Sequence, residues 1–185
     1  MCQDHDHSSL SVPPLTQDHK QGVLNAAVVL VMYGDYQSSQ SADVYRLIKV
    51  VQRQFSVSFG ADYLCFIFRH FPQRQIHIHA QRAAEAAEAA GAQDQFWQMH
   101  NLLFIRQQQL GNGYLVEYAN NLGLDISQFL RDITQQVHVD LIYHDVESGH
   151  QSGVTTAPAL FINGIRYIDR WNSKRLMAAI IATGG

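Results

Sequence analysis

The sequence predicts an α/β fold in which a long helical block interrupts a small sheet. Short apolar runs and one hairpin signal indicate strands towards the two ends of the chain. Between them, apolar residues recur three and four positions apart, which is typical of amphipathic helices. With 185 residues, 46% of them apolar, the chain can bury one core and carry a sizeable insertion.

The first part of the fold is predicted to be a strand, a helix and a parallel strand. Residues 28–32 form a β-branched run of strand length. From Ser41 to Phe55 apolar residues repeat with helical spacing, and Gly60 ends that unit. Residues 63–68 are apolar at consecutive positions, as expected for a strand covered on both faces. Such a sequence of elements forms a right-handed βαβ unit.

The middle of the chain is predicted to be helical throughout. Residues 80–90 are almost entirely Ala, Glu, Gln and Arg, which are strong helix formers, and Gly91 ends that helix. Asp125 or Ser127 can cap a later helix. The remaining helical patterns cover residues 96–104, 115–122, 128–137 and 139–146.

The chain is predicted to return to the sheet near its end. Residues 159–162 form a short strand, and the Asn163-Gly164 pair is a strong signal for a two-residue hairpin to residues 165–168. A last helix follows, through Ile181. The order βαβ, helical block, ββα predicts a split thioredoxin-type fold with an all-helical insertion. We assign residues 1–22 to a flexible leader, 23–75 and 150–185 to the thioredoxin-like domain, and 76–149 to the insertion.

Charge and hydropathy limit the partners and the location of the protein. The net charge of −3 provides no field that would attract nucleic acid or anionic membranes. No apolar run reaches the ~18 residues of a membrane span, and no secretion signal is discernible. These features predict a cytoplasmic protein with no membrane span and no nucleic-acid partner, and they leave its oligomeric state open.

The two cysteines, Cys2 and Cys65, are too few for a disulfide scaffold or a cysteine-built zinc site. Because Cys65 lies inside the predicted strand 63–68, we interpret it as a small buried core residue. The His77 and His79 pair lacks a third ligand nearby, so no metal site is predicted.

Three further interpretations concern charged and polar residues outside the predicted ligand site. Arg69 ends a strand and is interpreted as an ion-pair anchor. His100 lies on an amphipathic helix and is expected to pack over the sheet. Glu85 and Glu88 are expected to form a solvated helix face.

The predicted ligand site is the turn between the first strand and the first helix. Ligands of open α/β sheets gather at the carboxyl ends of strands, where a helix N-terminus presents free amide groups. The facing element is the segment Thr155-Thr156-Ala157-Pro158, since a proline there holds a backbone edge against which an extended chain can pair.

Several motifs resemble the DsbA-like thioredoxin family, in particular its cytosolic branch, found alone or fused to sodium/proton antiporters. The resemblance covers roughly residues 12–182 in the right order. It implies a DsbA-like fold and a Cys-x-x-Cys redox site at the start of the first helix. The matching motifs are YGDY (33–36), FRHFP (68–72), FWQMH (96–100), GVTTAP (153–158) and FING (161–164).

This sequence departs from the family where the redox cysteines belong. Ser38 and Ser41 occupy those positions, and a serine hydroxyl cannot form a disulfide. We therefore predict a degenerate redox site that keeps its groove and binds an extended peptide or protein partner. Ser38 and Ser41 are the candidate catalytic positions. The candidate substrate-binding residues are Tyr36, Gln37, Ser39, Gln40, Thr156, Ala157 and Pro158.

Two alternatives remain open. Kappa-class glutathione transferases and the related isomerases are similar in fold and carry Ser-x-x-Ser here. This resemblance implies a glutathione-dependent transferase or isomerase, in which Ser38 could donate a hydrogen bond to a glutathione thiolate while Ala157 pairs with the tripeptide. Ser39 replaces the proline of those transferases. Glutathione is the one cofactor that this resemblance suggests. The other alternative is an oxidoreductase in which serine has replaced cysteine in this copy alone.

Overall fold

The computed structural model describes residues 9–184 and contains, within them, five strands and seven helices. Their order confirms the predicted α/β class with helices inserted between the third and fourth strands. The strands are β1 (His19–Gln21), β2 (Val28–Gly34), β3 (Leu64–His70), β4 (Ala159–Ile162) and β5 (Ile165–Arg166). The helices are α1 (Ser39–Phe59), α2 (Ala80–Gly91), α3 (Phe96–Ile105), α4 (Asn112–Asn121), α5 (Ile126–Thr134), α6 (Val139–Gln151) and α7 (Ser173–Gly184).

The strands form one mixed sheet in the order β1-β3-β2-β4-β5. β2 and β3 are parallel, joined by α1, whereas the other neighbouring pairs are antiparallel. The β4–β5 hairpin turns at Asn163 and Gly164, both of which have positive φ angles of 46° and 82°. Such angles suit the two-residue turns that asparagine and glycine favour, so the hairpin prediction is confirmed.

The central strands are covered on both faces, as their continuous apolar sequence predicts. Leu30 and Met32 of β2 face a core that includes α1, α7 and the inserted helices, whereas Val31 and Tyr33 face a second, smaller core. This alternation follows from the two-residue repeat of a strand. The second core is closed by residues of the N-terminal segment and of α6.

The N-terminal segment differs from the flexible leader that the sequence predicts. Its first eight residues lie outside the described part of the chain, but residues 19–21 form β1 and pair antiparallel with β3. Before the strand, Ser9 forms a β-bridge with Ile165, and Asp18 pairs with Arg69. The pattern failed here because a three-residue edge strand is too short to show alternation, and its order comes from contacts distant in sequence.

No helix within residues 9–184 has both the length and the apolar character needed to cross a membrane.

Candidate functional site

The turn that joins β2 to α1 is ordered by the hydroxyl group of Ser38. Ser38 is the N-cap of α1: its backbone is extended, and its Oγ accepts a hydrogen bond from the N–H of Ser41 at 3.2 Å. Serine is among the best N-cap residues because its oxygen satisfies a free amide in the first turn. The Ser38 residue is only 6% exposed.

The second hydroxyl, that of Ser41, also has a partner inside the protein. Its Oγ accepts a hydrogen bond from the N–H of Asp35 at 3.2 Å, and the residue is fully buried. Both serines at the predicted catalytic positions thus satisfy backbone amides of the turn. Between them, Ser39 and Gln40 are exposed to solvent.

A residue of the helical insertion also binds the main chain of this turn. The Gln107 side chain, just beyond α3, donates hydrogen bonds to the carbonyl oxygens of Tyr36 and Ser38 at 2.7 and 2.8 Å. Tyr36 differs from its predicted substrate-binding role, since its side chain lies in the core, 1% exposed. Its hydroxyl pairs there with Nδ1 of His100 at 2.8 Å. Only the main chain of Tyr36 therefore belongs to the turn.

Burial sets the protonation of this Tyr36–His100 pair. It raises the pKa of Tyr36 well above its usual value of 10.0, with Glu88 adding to the effect. It lowers the pKa of His100 well below 6.5, because the charged imidazolium would lose its hydration beside His70 and His19. Both groups are neutral at physiological pH, as suits an interior contact. The expectation that His100 packs over the sheet is confirmed, since its ring lies edge-on to Phe68.

The carboxylate of Asp35 connects the turn to the loop that follows β3. It is 1% exposed and accepts three hydrogen bonds, from the N–H groups of Gln37 and Gln73 and from Nδ1 of His77, at 2.7, 2.9 and 2.8 Å. Because a carboxylate can only accept, the bonded Nδ1 of His77 carries the proton. Gln37, a predicted binding residue, uses its Oε1 to accept from the N–H of His79.

The segment before β4 faces this network. The Ala157–Pro158 peptide bond is cis, Thr156 is exposed and Ala157 is buried. The N–H of Ala157 donates to Oε1 of Gln73 at 3.1 Å. One side chain, Gln73, therefore joins the proline segment to the Asp35 network and hence to the turn.

The strand–helix turn, which the sequence predicts to face the proline segment, is joined to that segment through Asp35 and Gln73, two residues that the sequence does not predict for this role. In the sequence, Asp35 is only one residue of the YGDY motif, His77 suggests only a weak metal ligand, and Gln73 and Gln107 belong to no pattern. A glutamine side chain is usually expected at the protein surface, so its position in the sequence does not indicate such a contact. The role of these residues is visible only in the folded protein, where Gln73, for example, contacts Ala157, 84 residues away in the sequence.

A second polar cluster lies behind the site, where the N-terminal segment crosses β3. Arg69 is buried, and it binds both carboxylate oxygens of Asp18 at 3.1 and 2.9 Å. It also donates to the carbonyl oxygens of Val12 and Pro13 and to the Tyr33 hydroxyl. The interpretation of Arg69 as an ion-pair anchor is confirmed, and its partner is the N-terminal segment.

Glu88 of α2 binds two histidines at once, contrary to the solvated face expected for it. Its Oε1 lies 2.8 Å from Nε2 of both His19 and His70, and the residue is 4% exposed. Burial alone would raise the pKa of Glu88, but the hydrogen bonds of His19 and His70 outweigh it and lower the pKa to about 2. Glu85 is also buried and pairs with Arg82. The alanine-rich pattern hid these contacts because α2 packs on nearly all sides.

The pKa of Asp145, on α6, is shifted in the opposite direction to that of Glu88. One of its carboxylate oxygens accepts a hydrogen bond from the main-chain N–H of His70 at 2.8 Å. Burial nevertheless raises the pKa of Asp145 from its usual 3.8 to about 6. A cavity of about 300 Å³ lies between this residue, the N-terminal segment and Arg69.

Cys65 is fully buried in the second core, where burial raises the pKa of its thiol. The prediction of a small core residue is confirmed, while Cys2 lies outside the described residues. Across residues 9–184, no three His, Cys, Asp or Glu side chains are grouped so that they could hold a metal ion.

The sheet order, the inserted helices and a strand–helix turn facing Ala157-Pro158 define the class of protein, a DsbA-like thioredoxin fold. Solved structures share it. BdbD from Bacillus subtilis, in its oxidised form, superposes with a TM-score of 0.80 at 17% identity, covering 97% of this chain and 98% of that one. α-DsbA1 from Wolbachia pipientis gives a TM-score of 0.78 at 17% identity, covering 92% of each chain.

Sequence comparison leads to the family itself. The profile described as thioredoxin matches residues 15–182. The Na(+)/H(+) antiporter NhaA 1 of Salinispora arenicola is 34% identical over 164 residues, which are 89% of this chain and 24% of that protein. The NhaA 1 antiporter of Mycolicibacterium vanbaalenii is 35% identical over 170 residues, 90% and 26% of the two chains. This chain thus spans about a quarter of those relatives, and it belongs to the thioredoxin family.

Proposed function

We propose that this protein is a binding module for extended polypeptide segments that works without thiol–disulfide exchange. One observation carries the proposal: the hydroxyls of Ser38 and Ser41, at the positions of the family's cysteines, are both used as internal hydrogen-bond acceptors. A serine pair cannot exchange disulfides, and Cys65 is buried on a central strand with a raised pKa. What the site retains is a helix N-terminus beside the proline segment.

Exposed isoleucines around the turn favour a polypeptide over a small polar ligand. Ile76 and Ile78 flank His77, which binds Asp35, and they are 67% and 79% exposed. Ile105, 76% exposed, ends α3 two residues before Gln107, which binds the turn. Large apolar side chains that are left exposed are typical of surfaces that contact another chain. An extended partner would place its side chains against them while its main chain lies along the proline segment.

A binding titration tests this proposal. The probe is fluorescein-labelled reduced and S-carboxymethylated α-lactalbumin, an unfolded chain without free thiols, followed by fluorescence anisotropy. The buffer is reducing, as suits the cytoplasmic location that the sequence predicts. We expect saturable binding that the double variant Ile76→Ser, Ile78→Ser weakens at least several-fold.

The control is Val57→Ser, which removes an even more exposed apolar side chain, 89% exposed, near the opposite end of α1. That position is roughly 27 Å along the helix from Ser39, at 1.5 Å per residue. Val57→Ser should bind the probe like the unmodified protein. A protein that binds no probe, or binding that the isoleucine variant retains in full, contradicts the proposal.

A second candidate, a glutathione-dependent transferase, is favoured by one detail of Ser38. Its Oγ accepts a hydrogen bond from Ser41 but its own proton remains free to donate, and it lies at the positive end of α1. A thiolate could accept that proton's hydrogen bond. The test is the thermal shift produced by millimolar reduced glutathione, and its loss in Ser38→Ala. A melting temperature that glutathione does not change removes this candidate.

A further inference from the structure

Gln73 contacts both of the elements that a partner would contact, the strand–helix turn and the proline segment. It lies in the loop after β3, and its main-chain N–H is fixed to Oδ2 of Asp35 at 2.9 Å. Its side-chain Oε1 accepts the N–H of Ala157, the residue before Pro158, at 3.1 Å. Gln73 itself is only partly buried, so solvent lies on one side of it.

The Ala157 N–H is the group with which an added chain would pair. When an extended polypeptide lies beside a backbone edge, its carbonyl oxygens accept hydrogen bonds from the N–H groups of that edge. In this structure an amide carbonyl already fills that position, and it belongs to a glutamine side chain. A carboxamide offers the same acceptor as a peptide bond. Gln73 therefore takes the place that a partner's backbone carbonyl would take.

We propose that Gln73 is an internal competitor that determines which partners the site accepts. This inference rests on the proposed function, since it concerns binding at the same edge. The anchor at Asp35 keeps the Gln73 side chain beside Ala157 at a high effective concentration. A small ligand with one acceptor gains little by displacing it. An extended polypeptide can displace it, because further contacts with Ile76, Ile78 and Ile105 add to the exchanged hydrogen bond.

The test compares Gln73→Met with the unmodified protein, using the same labelled, unfolded α-lactalbumin. Methionine has a similar length and flexibility but lacks the amide acceptor, so the loop keeps its packing and Asp35 keeps the main-chain bond. We expect the variant to bind the probe roughly 2- to 10-fold more tightly, the range that one net hydrogen bond accounts for. Gln75→Met, at an exposed position two residues further on, is the control and should not change the affinity.

Amide exchange at Ala157, followed by NMR on ¹⁵N-labelled protein, gives a second readout that does not depend on affinity. The exchange should be faster in Gln73→Met than in the unmodified protein, and saturating probe should slow it in both. Thermal unfolding of each variant verifies that it is folded.

The outcomes separate the competitor from the binding site itself. If the unmodified protein binds the probe and Gln73→Met binds it no more tightly, the competitor role is wrong and the binding module stands. The same conclusion follows if the Ala157 amide exchanges no faster in Gln73→Met than in the unmodified protein. If neither protein binds the probe, the proposed function and the competitor role both fail.

Discussion

At the scale of single residues, Ser38 shows how one residue can order the turn at the start of α1 through both its side chain and its main chain. The oxygen caps α1 by accepting the N–H of Ser41, and the carbonyl of the same residue is held by Gln107. The backbone of the turn thus has partners on both sides. Serine suits this position for a structural reason, whatever ligand the site binds.

The contribution of the cap can be measured by Ser38→Ala. Alanine cannot accept from the Ser41 N–H, so the free energy of unfolding in urea should fall by about 1 kcal/mol, the usual value of an N-cap. Ser39→Ala is the control, because Ser39 is exposed and lies one residue inside the helix. It should change stability by less than about 0.5 kcal/mol. Equal losses in the two variants would show that Ser38 does not stabilise the helix as a cap.

At the scale of elements, the sequence predicts those whose pattern is local and misses those whose order comes from elsewhere. The apolar run of β2, the helical spacing of α1 and the Asn163-Gly164 pair are local patterns. Each of them predicts its element from neighbouring residues alone. β1 has no such pattern, because its three residues are ordered by pairing with β3. The site follows the same rule: the serine turn and Pro158 were found by motif, but the side chains that join them were not.

The anchoring of β1 by the buried Arg69–Asp18 pair can be tested with Asp18→Asn. The change leaves a buried guanidinium without its counter-charge, which costs about 3 kcal/mol when a buried ion pair is broken. We expect a loss of that order in urea unfolding, together with faster amide exchange in residues 19–21. Asp43→Asn is the matched control. It breaks an exposed pair with Arg46 and should cost less than about 1 kcal/mol. Unchanged exchange in β1 would show that the pair does not hold the strand.

At the scale of the whole molecule, the N-terminal segment, β3, α2 and α6 meet around two carboxyl groups that respond oppositely to pH. Glu88, with its pKa lowered to about 2, stabilises the fold above its ordinary value of 4.5, and this stabilisation is lost as the pH falls towards 2. Asp145, with its pKa raised to about 6, binds its proton more tightly in the folded protein than in the unfolded chain. The protonated Asp145 therefore contributes its full stabilisation below pH 3.8, the ordinary pKa of the group. This stabilisation is lost as the pH rises through 6, its pKa in the folded protein.

Asp145→Asn separates these two contributions. Asparagine is neutral at every pH and can still accept the N–H of His70 through its amide oxygen, so the cost of a buried charge disappears. In urea unfolding between pH 4 and pH 8, the unmodified protein should lose more stability with rising pH than the variant. At pH 8 the variant should be about 1–3 kcal/mol more stable, the free energy that corresponds to the pKa difference.

The control is Asp140→Asn, at an exposed position in the first turn of α6. Its stability should change with pH as steeply as that of the unmodified protein. The free energies of unfolding of Asp145→Asn and of the unmodified protein could instead change in parallel with pH. In that case the ionisation of Asp145 does not destabilise the fold, and any loss of stability at high pH comes from another group.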